Sequence, residues 1–306
     1  MKSGSIGTLR AILLATAFSL SCASSGPTDA SSFTVEPVLG SWLLSVTPSG
    51  RSFGFYVYLP DDYENTTANY PVLLYLQGWG NFGRQPNPAL ISSGPLAPLY
   101  LSDTALDPNG RERLDSRVRQ SIVVTPRLPY YDPNYKDPLG YYNPDTLQTV
   151  VEYVVANYRV DPQRLYVTGL SEGGGGTWAY AWRHPEKVAA IVPISCSLSY
   201  PVVDALRSMP IWMLQSFDDP VVPHAQGSDA AFSAVTVVSH FMQQYPGDGD
   251  YTISYSPATG LGPWTPGTVY PTGLVTYTLY ASGGHDAWTR TYANESVWIW
   301  LYAQSK

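Results

Sequence analysis

The stretch Arg164-Leu-Tyr-Val-Thr-Gly-Leu-Ser-Glu-Gly-Gly-Gly-Gly176 decides the fold. Its first five residues form an apolar and β-branched run that is typical of a buried strand, and a helical pattern over 172–184 follows. Between the two lies Gly169-Leu-Ser-Glu-Gly173, in which small residues flank a serine. A serine on a tight strand-to-helix turn needs small neighbours, because the strained backbone makes its hydroxyl project out of the sheet. The stretch therefore predicts an α/β sheet that presents Ser171 as a nucleophile.

Apolar runs recur along the chain, and helical patterns lie between the later ones. Strands that alternate with helices predict a mostly parallel sheet with helices on both faces, and the first two runs predict antiparallel N-terminal strands. We predict an α/β fold whose strands lie at 42–47, 53–59, 71–76, 121–125, 164–169, 188–194, 210–216 and 274–281, and whose helices lie at 172–184, 228–245, 287–303 and between Asp145 and Tyr158.

The composition excludes several classes of protein. Of the 306 residues, 44% are hydrophobic and 13% are charged, which argues against a disordered chain and against a coiled coil. The chain has 17 Lys and Arg against 24 Asp and Glu without a basic cluster, so we expect no nucleic-acid partner. No phosphate-binding loop or dinucleotide fingerprint occurs, and Asp248-Gly-Asp250 is too short for a calcium loop. We therefore predict no cofactor and no metal.

The N-terminus has the charge-then-apolar order of a secretory signal over residues 1–22. Cys22 stands where a bacterial lipoprotein signal places its lipidated cysteine, so lipidation and a membrane tether compete with ordinary cleavage and secretion. We predict a signal peptide over 1–22, a flexible tether over 23–33 and a catalytic domain over 34–306. The catalytic domain would then face the periplasm or the exterior.

A serine hydroxyl needs a base that takes its proton. Among the four histidines, His285 is the best candidate, because Gly283-Gly-His-Asp-Ala-Trp288 follows the run 274–281 and so lies at the C-terminal edge of the strands. His184 ends the helix after Ser171, far from the turn, and we expect a structural role for it. We expect Cys196 to be a small buried residue at a strand end.

The imidazole in turn needs a carboxylate, which this fold order places between the serine and the histidine. Run 210–216 leads into Phe217-Asp-Asp-Pro220, so either aspartate qualifies; we favour Asp219, and Asp218 stays open. The oxyanion needs two backbone N–H donors, and we assign them to Glu172 and to Trp79 in the turn after strand 71–76.

Segments 77–119, 126–146 and 246–273 do not follow the strand–helix rhythm, and long loops of this kind tend to be lids or binding loops. The second segment is dense in tyrosines. We expect Tyr130 and Tyr131, together with Trp288, to contact a sugar or a phenolic acyl group. The alternative is that the tyrosines only pack the loops together.

The motifs resemble a known family. From Tyr158-Arg-Val-Asp-Pro through Trp178-Ala-Tyr180, with Asp219-Pro-Val-Val-Pro223 and Gly284-His-Asp-Ala-Trp288, the chain is similar to α/β-hydrolase esterases related to poly(3-hydroxybutyrate) depolymerases, feruloyl and acetyl-xylan esterases and the "predicted peptidase" hydrolases. The resemblance covers roughly residues 40–305. It implies a triad of Ser171, Asp219 and His285.

The chain departs from that pattern at three places. Gln77 replaces the histidine of Leu-His-Gly, Gln215-Ser216 replaces the His-Gly before the acid, and Glu172 replaces the methionine that commonly follows the serine. A carboxylate beside an oxyanion opposes the developing charge unless it points away or is paired. Glu172 is therefore the departure with the largest expected consequence.

The resemblance implies a serine carboxylic-ester hydrolase that works through an acyl-enzyme, and the N-terminal signal pattern predicts that it is secreted or surface-anchored. Its substrate would be a small-molecule or polysaccharide ester, including acyl or feruloyl esters on plant polysaccharide. Two alternatives remain open at this point: a serine peptidase of the same fold, and a non-catalytic carbohydrate-binding homologue.

Overall fold

The computed structural model of the protein describes residues 33–39, 43–48, 54–79, 114–127 and 141–306, all within the compact unit Ser32–Lys306. In these residues one sheet contains twelve strands. They are β1 (Phe33–Leu39), β2 (Leu43–Pro48), β3 (Gly54–Tyr58), β4 (Tyr70–Leu76), β5 (Ile122–Arg127), β6 (Val160–Leu170), β7 (Ala190–Ile194), β8 (Ile211–Ser216), β9 (Tyr251–Ser256), β10 (Gly260–Leu261), β11 (Thr265–Pro266) and β12 (Val275–Tyr280).

Seven α-helices accompany the sheet in the same residues: α1 (Ser116–Arg119), α2 (Pro144–Asn157), α3 (Glu172–Arg183), α4 (Asp204–Arg207), α5 (Ser228–Thr236), α6 (Trp288–Tyr292) and α7 (Glu295–Tyr302). Asn143 caps α2 by accepting hydrogen bonds from the backbone of Asp145 and Thr146, and Pro144 occupies the first turn, where no N–H is needed. In the parts of the chain that the structure covers, no helix has the length and apolar character needed to cross a bilayer.

The strand order is β1-β2-β3-β5-β4-β6-β7-β8-β12-β9-β10, and β11 pairs with β9. The central strands from β5 to β12 in this order pair in parallel. The pairs β1–β2, β2–β3 and β3–β5 are antiparallel. The predicted fold class, a mostly parallel sheet with antiparallel N-terminal strands, is therefore confirmed.

Both faces of the sheet carry a hydrophobic core, which is why the central strands read as continuous apolar runs. All seven residues of β4 are buried. The larger core includes Val150 of α2, Trp178 of α3 and Phe232 of α5. The smaller core, on the other face, includes Val118 of α1 and Trp298 of α7. Helices on both faces leave the C-terminal ends of the strands as the open edge at which side chains can meet.

Two predicted helices are shorter than their patterns. The pattern 228–245 gives α5 only to Thr236, because Val237 and His240 adopt left-handed backbone conformations and a 3-10 turn, Phe241–Gln244, follows. The pattern 287–303 divides into α6 and α7 at Asn294, whose side chain accepts a hydrogen bond from the backbone of Ser296 and so begins a new helix. Periodicity alone did not indicate these interruptions.

Segment 246–273 forms strands, contrary to its interpretation as a binding loop. Its apolar positions alternate along Tyr251–Ser256, and β9 pairs antiparallel with β12. Trp264 is nearly fully buried, and its indole N–H donates to the carbonyl of Phe241. The segment therefore extends the sheet and the core, which matches the alternative that its aromatic residues serve packing.

Candidate active site

Ser171 lies on a strained turn between β6 and α3. Its backbone has φ 53° and ψ −121°, a conformation that L-residues rarely adopt, and its N–H donates to the carbonyl of Ile194 at 2.9 Å. A non-glycine residue at positive φ costs on the order of 1–3 kcal/mol, which the surrounding packing must offset. The strain fixes the hydroxyl at the C-terminal edge of the sheet, at the N-terminus of α3.

The glycines around Ser171 permit a backbone crossing that no side chain would tolerate. A Cβ at Gly173 would lie 2.0 Å from the carbonyl oxygen of Leu76, and one at Gly169 would lie 2.3 Å from the carbonyl oxygen of Gly173. The start of α3 therefore rests directly on the end of β4. The sequence pattern of small residues has this close approach as its physical cause.

The structure brings Ser171, His285 and Asp219 together. His285 Nε2 lies 2.8 Å from Ser171 Oγ, and His285 Nδ1 lies 2.8 Å from Asp219 Oδ2. The Asp219 side chain is completely buried, whereas that of His285 retains 19% exposure. This is the geometry in which an imidazole accepts the serine proton at one nitrogen while a carboxylate fixes the other.

Two neighbouring aspartates have different partners, which separates the alternatives that the sequence left open. Asp219 Oδ1 accepts hydrogen bonds from the backbone N–H groups of Val221 and Val222, at 2.9 and 3.0 Å, and so faces His285 in a fixed orientation. Asp218 instead accepts from the N–H of Gly284 at 2.8 Å. Asp219 thus contacts the imidazole, and Asp218 holds the loop that carries it.

Gln215, which the sequence marked only as a departure, links the acid to its supports. It is completely buried. Its Nε2 donates to Asp219 Oδ2 at 3.3 Å and to the carbonyl of Val222, and its Oε1 accepts from the backbone and the hydroxyl of Ser228. The amide therefore connects the end of β8 and the start of α5 with the loop that carries Asp219, residues 217–223, which we call the acid loop. Nothing in the local sequence indicated this role.

The two residues expected to supply oxyanion donors flank the nucleophile. Glu172 is the first residue of α3 and follows Ser171 directly. Trp79 follows Gly78, where a Cβ would lie 3.6 Å from the Cβ of Ser171, so the turn after β4 passes close to the serine. Tyr142, which belongs to the tyrosine-dense segment 126–146, supports this turn by donating its hydroxyl to the carbonyl of Gln77 at 2.9 Å, a role that the sequence did not indicate.

A cavity of about 520 Å³ opens beside Ser171, a volume within the usual range for small-molecule sites. Aromatic side chains of Trp79, Tyr142 and Tyr200 line it together with polar groups of Glu172, Ser197 and Ser199. Trp79 is 44% exposed and packs edge-on against Tyr141 at 5.1 Å between ring centroids. The cavity therefore combines apolar faces with hydrogen-bonding groups next to the reactive hydroxyl.

Burial changes the acidity of two side chains that line the cavity. It raises the pKa of the Glu172 carboxyl above its usual value, because the charged form loses contact with water. It also raises the pKa of the Cys196 thiol well above its usual range. The thiol stays protonated at neutral pH, so Cys196 has the character expected of a buried structural residue rather than a nucleophile.

The remaining predicted residues lie at different places. Trp288 packs edge-on against the His285 ring at 5.2 Å between centroids and is not among the residues that line the cavity. Tyr130 and Tyr131 lie outside the described residues. His184 caps the end of α3 and packs on Tyr180.

A second His–Asp pair lies outside the candidate active site. His224 Nδ1 lies 2.8 Å from Asp229 Oδ2, and Tyr277 donates to the other oxygen of that carboxylate, so this second His–Asp pair is part of the packing beneath the acid loop. In the region that the structure covers, no three His, Cys, Asp or Glu side chains cluster in a way that could hold a metal ion.

Comparisons with known proteins agree with this architecture. The model of the Esterase family, described as "Putative esterase", matches residues 47–231, well over half of the chain. A solved thermostable esterase is 21% identical with a TM-score of 0.54; the match covers 90% of this chain, which spans 63% of that protein's length. A glucuronoyl esterase from Solibacter usitatus is 14% identical with a TM-score of 0.53. That match covers 91% of this chain and 86% of the glucuronoyl esterase chain. At these identities the two structures are similar to the chain in fold.

Proposed function

We propose that this chain, which belongs to the Esterase family, hydrolyses carboxylic esters with Ser171 as the nucleophile. The family match supports a carboxylic-ester hydrolase. The observation that carries the serine mechanism is the continuous contact from Ser171 Oγ through His285 to Asp219, with 2.8 Å at each step.

In the proposed reaction, Ser171 Oγ attacks the ester carbonyl carbon while His285 Nε2 accepts the hydroxyl proton. Asp219, which is buried and held by backbone N–H groups, keeps Nδ1 protonated and offsets the positive charge of the imidazolium. The backbone N–H groups of Glu172 and Trp79 donate to the oxyanion of the tetrahedral intermediate. Its collapse releases the alcohol, which takes the proton from His285, and leaves an acyl-enzyme.

Water then attacks the acyl carbonyl, with His285 accepting its proton. A second tetrahedral intermediate collapses to the free acid, and Ser171 Oγ leaves with the proton that His285 returns to it. Removal of one oxyanion donor typically costs about 3 kcal/mol of transition-state stabilisation, so both turns next to the serine matter for the rate. The substrates proposed are acyl or feruloyl esters on plant polysaccharide, because sugar and phenolic rings stack on aromatic walls such as those of Trp79 and Tyr200.

The test is labelling with a fluorophosphonate together with hydrolysis of nitrophenyl acetate, methyl ferulate and acetylated xylan. We expect the wild type to be labelled and active, and Ser171→Ala to lose labelling and to lose activity on the order of 10⁶-fold. Ser197→Ala, the same change in another serine that lines the cavity, is the control and should keep the label. Turnover of a peptide amide above that of the matched ester would favour the peptidase alternative, and absence of all labelling would contradict the proposal.

Export is proposed on the sequence alone. Residues 1–22 would direct secretion, residues 23–33 would form the tether, and residues 34–306 would form the catalytic domain. Mass spectrometry of the mature N-terminus distinguishes the two routes: a diacylglyceryl-modified Cys22 indicates a membrane-anchored lipoprotein facing the periplasm or the exterior, and an unmodified terminus indicates ordinary cleavage.

A further inference from the structure

Glu172 carries a carboxyl group at the wall of the substrate cavity, and none of the described residues pairs with it. Its side chain is half-buried and makes no hydrogen bond or ion pair with the described residues. The described residues that line the cavity include no Lys, Arg or His. Partial burial of a polar group without a hydrogen-bond partner destabilises the protein. A ligand that donates a hydrogen bond to the carboxylate would offset that cost.

We propose that the side chain of Glu172 determines substrate specificity: it binds a hydroxyl group of a neutral, hydroxyl-bearing ester and excludes esters that carry a carboxylate. This inference rests on the proposed ester hydrolysis at Ser171 and adds the class of substrate. The backbone N–H of Glu172 keeps its separate role at the oxyanion.

The exclusion of anions follows from charge. A substrate carboxylate in this cavity would lie near a like charge in a partly desolvated site, where two charges repel far more than in water. The cavity residues that the structure describes offer no cation to offset it, and the chain as a whole carries a net charge of −7. Esters on uronic acids are therefore disfavoured relative to esters on neutral sugars.

The other residues that line the cavity explain the preference for a hydroxyl over an ammonium group. Ser197 and Ser199 supply hydroxyls that both donate and accept, which suits a sugar hydroxyl network. An ammonium group would have to give up its hydration shell to enter this partly desolvated cavity, and that desolvation is costly even opposite a carboxylate. A hydroxyl gives up far less hydration and can donate its hydrogen bond to the carboxylate of Glu172.

The test uses two matched series of esters, methyl alkanoates and alkyl acetates, in which a five-carbon tail ends in hydroxyl, methyl, carboxylate or ammonium. For each, kcat/KM is measured with the wild type, with Glu172→Gln and with Glu186→Gln. Glu186 is exposed and does not line the cavity, so its variant makes the same chemical change without touching the site.

In one or both series the wild type should prefer the hydroxyl tail over the carboxylate tail by at least about 100-fold and over the methyl tail by about tenfold. In Glu172→Gln the ratio of hydroxyl to carboxylate should fall by at least tenfold, and Glu186→Gln should leave it unchanged.

Three results would overturn the inference while the proposed function stands. They are hydrolysis of all four tails at similar rates by the wild type, a preference that Glu172→Gln does not change, and a preference for the ammonium tail over the hydroxyl tail, which would assign the site to cationic esters. If Glu172→Gln does not fold, the wild-type ratios decide. Absence of hydrolysis throughout both series, together with absence of fluorophosphonate labelling, would instead remove the proposed function.

Discussion

At the scale of single residues, the neighbouring aspartates Asp218 and Asp219 have different contacts and different expected roles. Only Asp219 contacts the imidazole, whereas Asp218 accepts from the backbone of Gly284. We predict that Asp219→Asn lowers kcat by on the order of 10⁴-fold, because the amide donor favours the wrong tautomer of His285 and no longer offsets its charge.

Asp218→Asn is the matched control for this prediction. Its side-chain oxygen can still accept from Gly284, so we expect kcat to change by no more than a fewfold. Steady-state kinetics with nitrophenyl acetate measure both variants. Equal losses in the two variants would mean that the loop, rather than the contact with His285, accounts for the role of Asp219.

At the scale of elements, the packing of α3 against β4 requires a glycine at position 173 of α3 but not at position 175. Gly173 lies against the backbone of Leu76, whereas nothing lies within 4 Å of a Cβ at Gly175. We predict that Gly173→Ala lowers the free energy of unfolding by about 3 kcal/mol, because backbone atoms cannot move aside as a flexible side chain would.

For Gly175→Ala, the same substitution in the same helix, we expect the free energy of unfolding to rise. Alanine restricts the unfolded chain and favours the helix, so we expect a gain of about 0.5–1 kcal/mol. Urea denaturation of both variants, followed by circular dichroism, tests the pair. If the two substitutions had equal effects, the close approach of α3 to β4 would have no energetic consequence.

At the scale of the whole molecule, the many buried tyrosines predict loss of stability in alkali. Burial raises the pKa of the hydroxyls of Tyr142, Tyr277, Tyr292 and Tyr302 well above their ordinary value of 10.0. Above pH 10 the unfolded chain releases these protons while the folded chain retains them, so the free energy of unfolding falls as the pH rises. Below pH 10 this contribution is fully present.

We therefore expect tyrosinate absorbance to appear together with the loss of far-ultraviolet circular dichroism during an alkaline titration. Titration of all tyrosines near pH 10 with the fold intact would show that the buried hydroxyls are accessible to solvent.

Much of the fold could be predicted because it depends on local patterns. The run before Ser171, the glycines after it and the alternation of strands with helices indicated a parallel sheet with the serine at its edge. The strands of segment 246–273 were missed, because the pairing of β9 with β12 joins residues that lie 20 to 28 positions apart in the sequence. The breaks at Val237 and Asn294 were missed since the apolar spacing continues across them.

The sequence by itself determined the central strands, the strained turn and the order in which serine, acid and histidine occur, since strand propensity, helical periodicity and turn chemistry depend on near neighbours. Only the tertiary structure decided which aspartate contacts His285, that Gln215 supports it, and that Glu172 faces a cavity whose described lining contains no Lys, Arg or His. These features depend on side chains from distant segments that meet at one edge of the sheet, where distance and burial fix their chemistry. No local pattern contains that information.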